Sequence, residues 1–256
     1  MDVQAPTSSV GRRTLLVESF LVLGVGLGAS AVWAVLSIVR RLTDPVALSR
    51  QTSSLNASVT PDRPWLDLAY QLAGIALPLF PALLALHLLA RDGVFPARIG
   101  MDLKHPGGDL LRGALLAAAV GLPGLVFYVA AMQWGINTTV SPAGLGQVWW
   151  AVPVLILSAV KNAVVEEVVM VGYLMTRWRQ VGWSWHWVVG ISAVIRGAYH
   201  LYQGFGGFLG NIAMGLFFGW LFVRSGRVMP LVVAHTLLDV VAFVGYTFLR
   251  NNLPWL

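Results

Sequence analysis

Three short groups of ionisable residues lie inside apolar stretches of this chain. Glu166 and Glu167 are adjacent in AVVEEVVMVGYLM, Arg196 and His200 are four apart in IRGAYHLY, and His235 and Asp239 are four apart in VVAHTLLDVV. A carboxylate beside a histidine can act as general base on water, and a second histidine can donate to a developing oxyanion. The same groups could instead hold a divalent metal such as zinc, with Glu166, His200 and His235 as ligands, which would lower the pKa of a bound water. No G-x-S-x-G elbow and no H-E-x-x-H occurs, so the residue set favours water-activating hydrolysis over covalent catalysis.

The spacing says how helices would present these groups. Residues four apart share one helix face, while the two glutamates stand about 100° apart around a helix and point inward in different directions. A charge at the bilayer centre costs roughly 2.5–3.5 kcal/mol on insertion scales, whereas a polar contact between membrane helices returns about 0.6 kcal/mol on average. Helix-to-helix glue is therefore a poor reason to bury so many ionisable groups, and a site is the better one. Lys161 lies about 140° around the helix from Glu166 and is left outside the site. Glu18, His87 and His186 fall near span ends and read as interfacial, and Asp67 suits the first turn of its helix.

The elements that must position these residues are membrane spans. Of the 256 residues, 57% are hydrophobic and 11% charged, against about 25% charged in a soluble domain. The fold class is all-α, a polytopic transmembrane helical bundle. Seven segments are long enough to cross, near 14–40, 65–91, 110–134, 147–177, 186–203, 206–224 and 228–250, with an eighth if the long fourth one breaks. Residues 1–13 form a polar tail with no cleavable signal evident, and 14–256 a single transmembrane domain. The polar Ser/Thr-rich loop 41–63 is expected to be mobile, and the uncharged loop 135–146 to lie outside.

Charge adds orientation. With the N-terminus inside, the inner segments carry ten Lys or Arg and the outer ones five, Arg250 among them, which favours a cytoplasmic N-terminus. The net charge of +6 does not gather into a patch, and no nucleic-acid partner is expected; the partners are the bilayer and a peptide or membrane-protein substrate. Cysteine is absent, which removes disulfides and thiolate chemistry. Trp183, Trp185, Trp187 and Trp255 suit an aromatic belt. The pairs Gly24/Gly28, Gly206/Gly210 and Gly215/Gly219 suit close helix packing.

Taken in order, the three groups resemble the motifs of the CAAX-protease and bacteriocin-processing (CPBP) intramembrane proteases. That family's first motif is E-E-x-x-x-R, its second F-x-x-x-H, and its third H-x-x-x-N or a variant with Asp. Glu166-Glu167, His200 and His235 with Asp239 match by position, and the family-like core covers about 147–250. The resemblance implies a membrane endopeptidase in which Glu166 and His200 activate water, His235 and Asp239 stabilise the oxyanion, and Glu167 supports Glu166. Two positions depart from the pattern: Val171 stands where the first motif has Arg, and Arg196 where the second has Phe. The reading is that the cation has moved to the fifth span, with Arg196 compensating the glutamates.

Arg-over-Lys usage and Ala/Gly/Val richness resemble a bacterial chain, which suggests a multi-pass inner-membrane protein. Two other functions compete with the peptidase. A proton-coupled transporter would also bury Glu, His and Asp, but no repeated half is seen. A catalytically silent scaffold of the same family is kept alive by the missing motif-one Arg.

Overall fold

The computed structural model describes residues 10–248. Residues 1–9 of the polar tail, Arg250 and Trp255 lie outside the described residues. Ten α-helices carry the fold: α1 Arg12–Gly24, α2 Leu27–Leu42, α3 Pro64–Ala76, α4 Phe80–Arg91, α5 Pro106–Gln133, α6 Ala151–Glu166, α7 Leu174–Val181, α8 Trp185–His200, α9 Phe205–Ser225 and α10 Met229–Val240. A π-helical segment, Glu167–Tyr173, joins α6 to α7, and a second, Val241–Gly245, follows α10.

Local chemistry sets the boundaries. Prolines stand in the first turn of α3, α4, α5 and α10, where the missing N–H costs nothing. The first apolar segment is not one straight span. It breaks at Val25-Gly26 into α1 and α2, bent by 53°, and a side chain on Gly26 would sit 3.1 Å from Pro81 of α4. Helices α3 and α4 together span Pro64–Arg91.

Among the described residues four helical stretches are long and apolar enough to cross a bilayer, and five if the bent α1–α2 pair is one span. The expected count of seven to eight is not confirmed. The fourth sequence segment is divided by the π-helix, and α8 has 16 residues, short of the roughly 20 that a crossing needs. Large apolar side chains face outward, among them Phe20, Trp33, Leu122 and Val126. Only 6% of the most apolar part of α5 is buried. A surface this apolar is built for lipid, and the protein is a helical membrane protein.

The helices are joined by one small sheet that sequence patterning did not foresee. Within the loop 41–63 lies β1, Thr52–Ala57, and within the loop 135–146 lies β2, Thr139–Gly144. They pair in parallel, with Thr52 opposite Thr139 and Ala57 opposite Gly144. The Tyr128 hydroxyl of α5 accepts the Val140 N–H of this sheet at 3.0 Å. Ser53 Oγ meets Thr138 Oγ1 at 2.8 Å and donates to the Tyr202 carbonyl at 3.0 Å, so the sheet is fastened to the turn just after α8. Asp67 does more than suit its helix dipole: its carboxylate accepts the Val59 N–H at 2.8 Å and the Thr60 N–H at 3.3 Å, which ties that loop to α3.

The centre of the core is α6, the π-segment and α7, whose residues from Val165 to Met175 are all buried. Around it pack α1, α2, α4, α8, α9 and α10. Glycines decide the close approach of α8 and α9: a side chain on Gly215 would lie 2.9 Å from the Ala193 backbone, and one on Gly219 would lie 2.9 Å from Val189. Gly24 has nothing within 4 Å and makes no such contact.

Candidate active site

The site forms where α6 gives way to the π-segment. Glu166 is the last residue of α6 and Glu167 the first of the π-segment. A π-helix widens the backbone and leaves carbonyls in need of donors. Ser192 of α8 supplies one, its hydroxyl donating to the Met170 carbonyl at 2.9 Å. Thr176 supplies another, to the Gly172 carbonyl at 2.6 Å.

Arg196 enters from α8 and is 1% exposed. Its Nη1 donates to Glu167 Oε2 at 3.2 Å and its Nη2 to Glu167 Oε1 at 2.5 Å. The same Nη2 reaches Glu166 Oε2 at 3.4 Å. The paired geometry is the strong form of guanidinium–carboxylate contact. Helix α9 makes room for it: the Phe218 ring lies 5.5 Å from the guanidinium carbon, and a side chain on Gly215 would come within 3.2 Å of Arg196 Cδ. Val171, at the position of the family's motif-one Arg, is packed into the core at 2% exposure.

The two glutamates are not equivalent. Glu167 is fully buried, and its Oε1 also accepts from His235 Nδ1 at 2.8 Å. Both of its oxygens are committed. Glu166 is 8% exposed and receives the Tyr199 hydroxyl on Oε2 at 2.8 Å. Its Oε1 has no hydrogen-bond partner among the described residues. Tyr199 was not singled out from sequence; it lies beside a motif histidine, and only a three-dimensional packing of α8 on α6 turns it toward Glu166.

Hydrogen bonds fix the histidine tautomers. His200 Nδ1 lies 3.0 Å from the Arg196 carbonyl, which can only accept, so Nδ1 carries the proton and neutral His200 presents a lone pair at Nε2. Its ring lies 4.7 Å from that of Tyr199. His235 Nδ1 donates to Glu167 in the same way, and the 3.1 Å approach of Arg196 Nη2 to that nitrogen sets two donors side by side on one carboxylate oxygen. His235 Nε2 therefore also faces away from the buried fork.

His235 and Asp239 share a helix face but do not hydrogen-bond: Nε2 and Asp239 Oδ1 are 3.8 Å apart, within ion-pair reach and beyond hydrogen-bond length. Asp239 Oδ2 instead accepts from Asn162 Nδ2 at 2.9 Å, and Asn162 Oδ1 accepts from Lys161 Nζ at 2.5 Å. Lys161, set aside on angular grounds, is thus joined to the site through its neighbour. Asn162 carried no signal in the sequence beyond sitting one turn before Glu166.

A metal held by Glu166, His200 and His235 does not fit this arrangement. Among the described residues no three His, Cys, Asp or Glu side chains gather as a ligand set. The Arg196 guanidinium contacts Glu166, Glu167 and His235 together and is itself the cation of the cluster.

Residues 147–241 match the family described as type II CAAX prenyl endopeptidase, Rce1-like. Over that segment, somewhat over a third of the chain, the match agrees with the resemblance of the three motifs to the CPBP family. The matched segment holds all three ionisable groups and the π-segment, while α1 to α5 and both strands lie before it. No curated protein and no solved structure matches the chain.

Proposed function

We propose that this chain is an intramembrane endopeptidase that hydrolyses peptide bonds of membrane-associated proteins or peptides. The match of residues 147–241 to a family of type II CAAX prenyl endopeptidases supports the reaction class. The uncommitted Oε1 of Glu166, beside a Glu167 whose oxygens are both engaged, is the observation that carries the assignment of roles.

In this reading Glu166, with the Nε2 lone pair of His200, takes a proton from water as its oxygen attacks the scissile carbonyl. His235, protonated, donates Nε2–H to the carbonyl oxygen as negative charge develops there. Collapse of the tetrahedral intermediate breaks the C–N bond, and the proton first taken from water passes to the leaving nitrogen. Glu167 and Arg196 hold His235 and Glu166 in place. The fork is preorganised, so it needs no rearrangement when charge appears. Placement in a bacterial inner membrane with a cytoplasmic N-terminus belongs to the same proposal and rests on the Lys/Arg distribution.

The test is cleavage of a peptide library and of a membrane proteome by the protein reconstituted in vesicles. Loss of cleavage in both Glu166→Ala and His200→Ala, with wild type active, supports the peptidase. Intact substrates together with Glu166-dependent proton or solute flux would replace it with transport.

A further inference from the structure

The chain Lys161–Asn162–Asp239 lies beside the Arg196 fork and has no part in the roles assigned above. We infer that Asn162, backed by Lys161, is a positioning residue: it holds Asp239 back from His235 and keeps open a gap that receives one oxygen of the substrate. The functional half of this inference rests on the peptidase reading.

Histidine and aspartate four apart on one helix face lie within reach of one another. Left alone, Asp239 Oδ1 would close on His235 Nε2 and occupy the nitrogen that the reaction needs. The 3.8 Å separation shows that it does not. The restraint is visible, because Asp239 Oδ2 is drawn toward α6 by the Asn162 amide. A carboxamide can do this in one sense only here: its NH₂ donates to the carboxylate, and its carbonyl oxygen needs a donor of its own. Lys161 supplies that donor. No carboxylate lies within ion-pair distance of Lys161 among the described residues, so its charge acts on Asp239 through the amide dipole between them.

An oxygen set beside the pair rather than between its two atoms can lie about 2.8–3.0 Å from both, because they stand 3.8 Å apart. Protonated His235 offers a donor and Asp239 an acceptor, so the occupant must accept and donate at once. A hydroxyl does so, and the carbonyl oxygen becomes one when protonated His235 passes its Nε2 proton to it as water adds; the proton returns to His235 when the C–N bond breaks.

The experiment uses the full chain in nanodiscs and compares Asn162→Leu, Asp239→Asn, Lys161→Met and the exchange Asn162→Asp with Asp239→Asn. In the exchange, the amide at position 239 donates to the carboxylate at 162, which also gains Lys161 as a direct ion-pair partner. Asn162→Leu should lower kcat by roughly 10- to 100-fold, the usual scale for a residue that orients an active-site group, and leave KM unchanged. The exchange should recover most of that loss. An unchanged kcat in Asn162→Leu, or an exchange no better than the poorer single variant, would overturn the inference. Thermal unfolding reports whether each variant folds, and if Asn162→Leu does not, Lys161→Met and the exchange carry the test. If wild type cleaves nothing, the peptidase reading falls separately. Calorimetric binding of a peptide aldehyde, which hydrates to a gem-diol, then decides the gap: weaker binding in Lys161→Met and recovery in the exchange support it, and no binding to wild type overturns it.

Discussion

Arg196 closes on Glu167 with two hydrogen bonds, Nη1 to Oε2 at 3.2 Å and Nη2 to Oε1 at 2.5 Å. The two residues are 29 positions apart, on different helices, and both are buried. Removing one partner strands the other charge, which typically costs 3–5 kcal/mol in a buried pair, so Arg196→Phe should lower stability by about 3–5 kcal/mol. Adding Val171→Arg, which returns a cation to the π-segment, should recover part of it. Denaturation in detergent measures both; no recovery in the double variant would count against a relocated cation.

The unequal commitments of the two glutamates predict unequal variants. Glu166→Gln should keep the thermal midpoint close to wild type and abolish peptide cleavage. Glu167→Gln should lower the midpoint, because it removes the carboxylate that Arg196 and His235 share. The same lowering in both would contradict the division of labour.

Tyr199→Phe removes one hydrogen bond to a carboxylate and little volume. A bond to a charged group contributes about 1.5–3 kcal/mol, and roughly tenfold or more of kcat should follow if it orients the base, since 1.4 kcal/mol is a factor of ten. Steady-state cleavage rates give the answer, and an unchanged kcat would make Tyr199 a packing residue only.

A second buried cation, Arg177, is fully enclosed. It bonds Asp92 at 2.7 Å and the Leu88 carbonyl at 2.7 Å, with Glu18 at 3.7 Å. It ties α7 to α1 and α4, so Arg177→Met should cost about 3–5 kcal/mol while sparing the site geometry. Chemical unfolding together with residual activity of the folded fraction separates the two effects.

One pH effect follows from a group in the loop before α5. The Arg227 guanidinium and then the Lys104 N–H hold the Asp102 carboxyl below its usual range. Its folded pKa is lower than its unfolded one, so its contribution is present above the unfolded value of about 3.9 and is lost as pH falls through the folded value. The difference in thermal midpoint between wild type and Asp102→Asn should be constant near neutrality and shrink below about pH 4. A difference that stayed undiminished as the pH was lowered through and well below about 4 would refute the pairing.

Class and site were legible in the sequence for different reasons. Apolar content and ionisable residues at i,i+4 spacing are local signals, and they located Glu166, Glu167, Arg196, His200, His235 and Asp239. That Arg196 would face the glutamates was also readable, because charge must balance in hydrocarbon wherever it is placed, and the Arg196 guanidinium contacts both. Tyr199 and Asn162 were not readable, since a tyrosine or asparagine in a span means nothing until a neighbouring helix gives it a carboxylate. The separation of His235 from Asp239 was not readable for a related reason: i,i+4 spacing gives a shared face, and only the Asn162 amide on another helix draws Asp239 aside. The parallel sheet escaped because β1 and β2 are short, polar and far apart in sequence, Thr139 lying 82 positions after Ala57, with no hairpin turn to announce them.

The π-segment also acts as a phase shifter within a continuous helix. Each π-turn takes up one residue more than an α-turn, so everything after Tyr173 is rotated relative to Glu166 by an amount that no α-helix of the same length would give. Glu166 is thereby aimed at Tyr199 while Arg177, eleven positions later, is aimed at Asp92. Deleting a single residue between 168 and 172 would give the backbone a more regular hydrogen-bond ladder and would still uncouple one of these two ends from its partner. In this stretch the count of residues, as much as their identity, sets what the helix can hold.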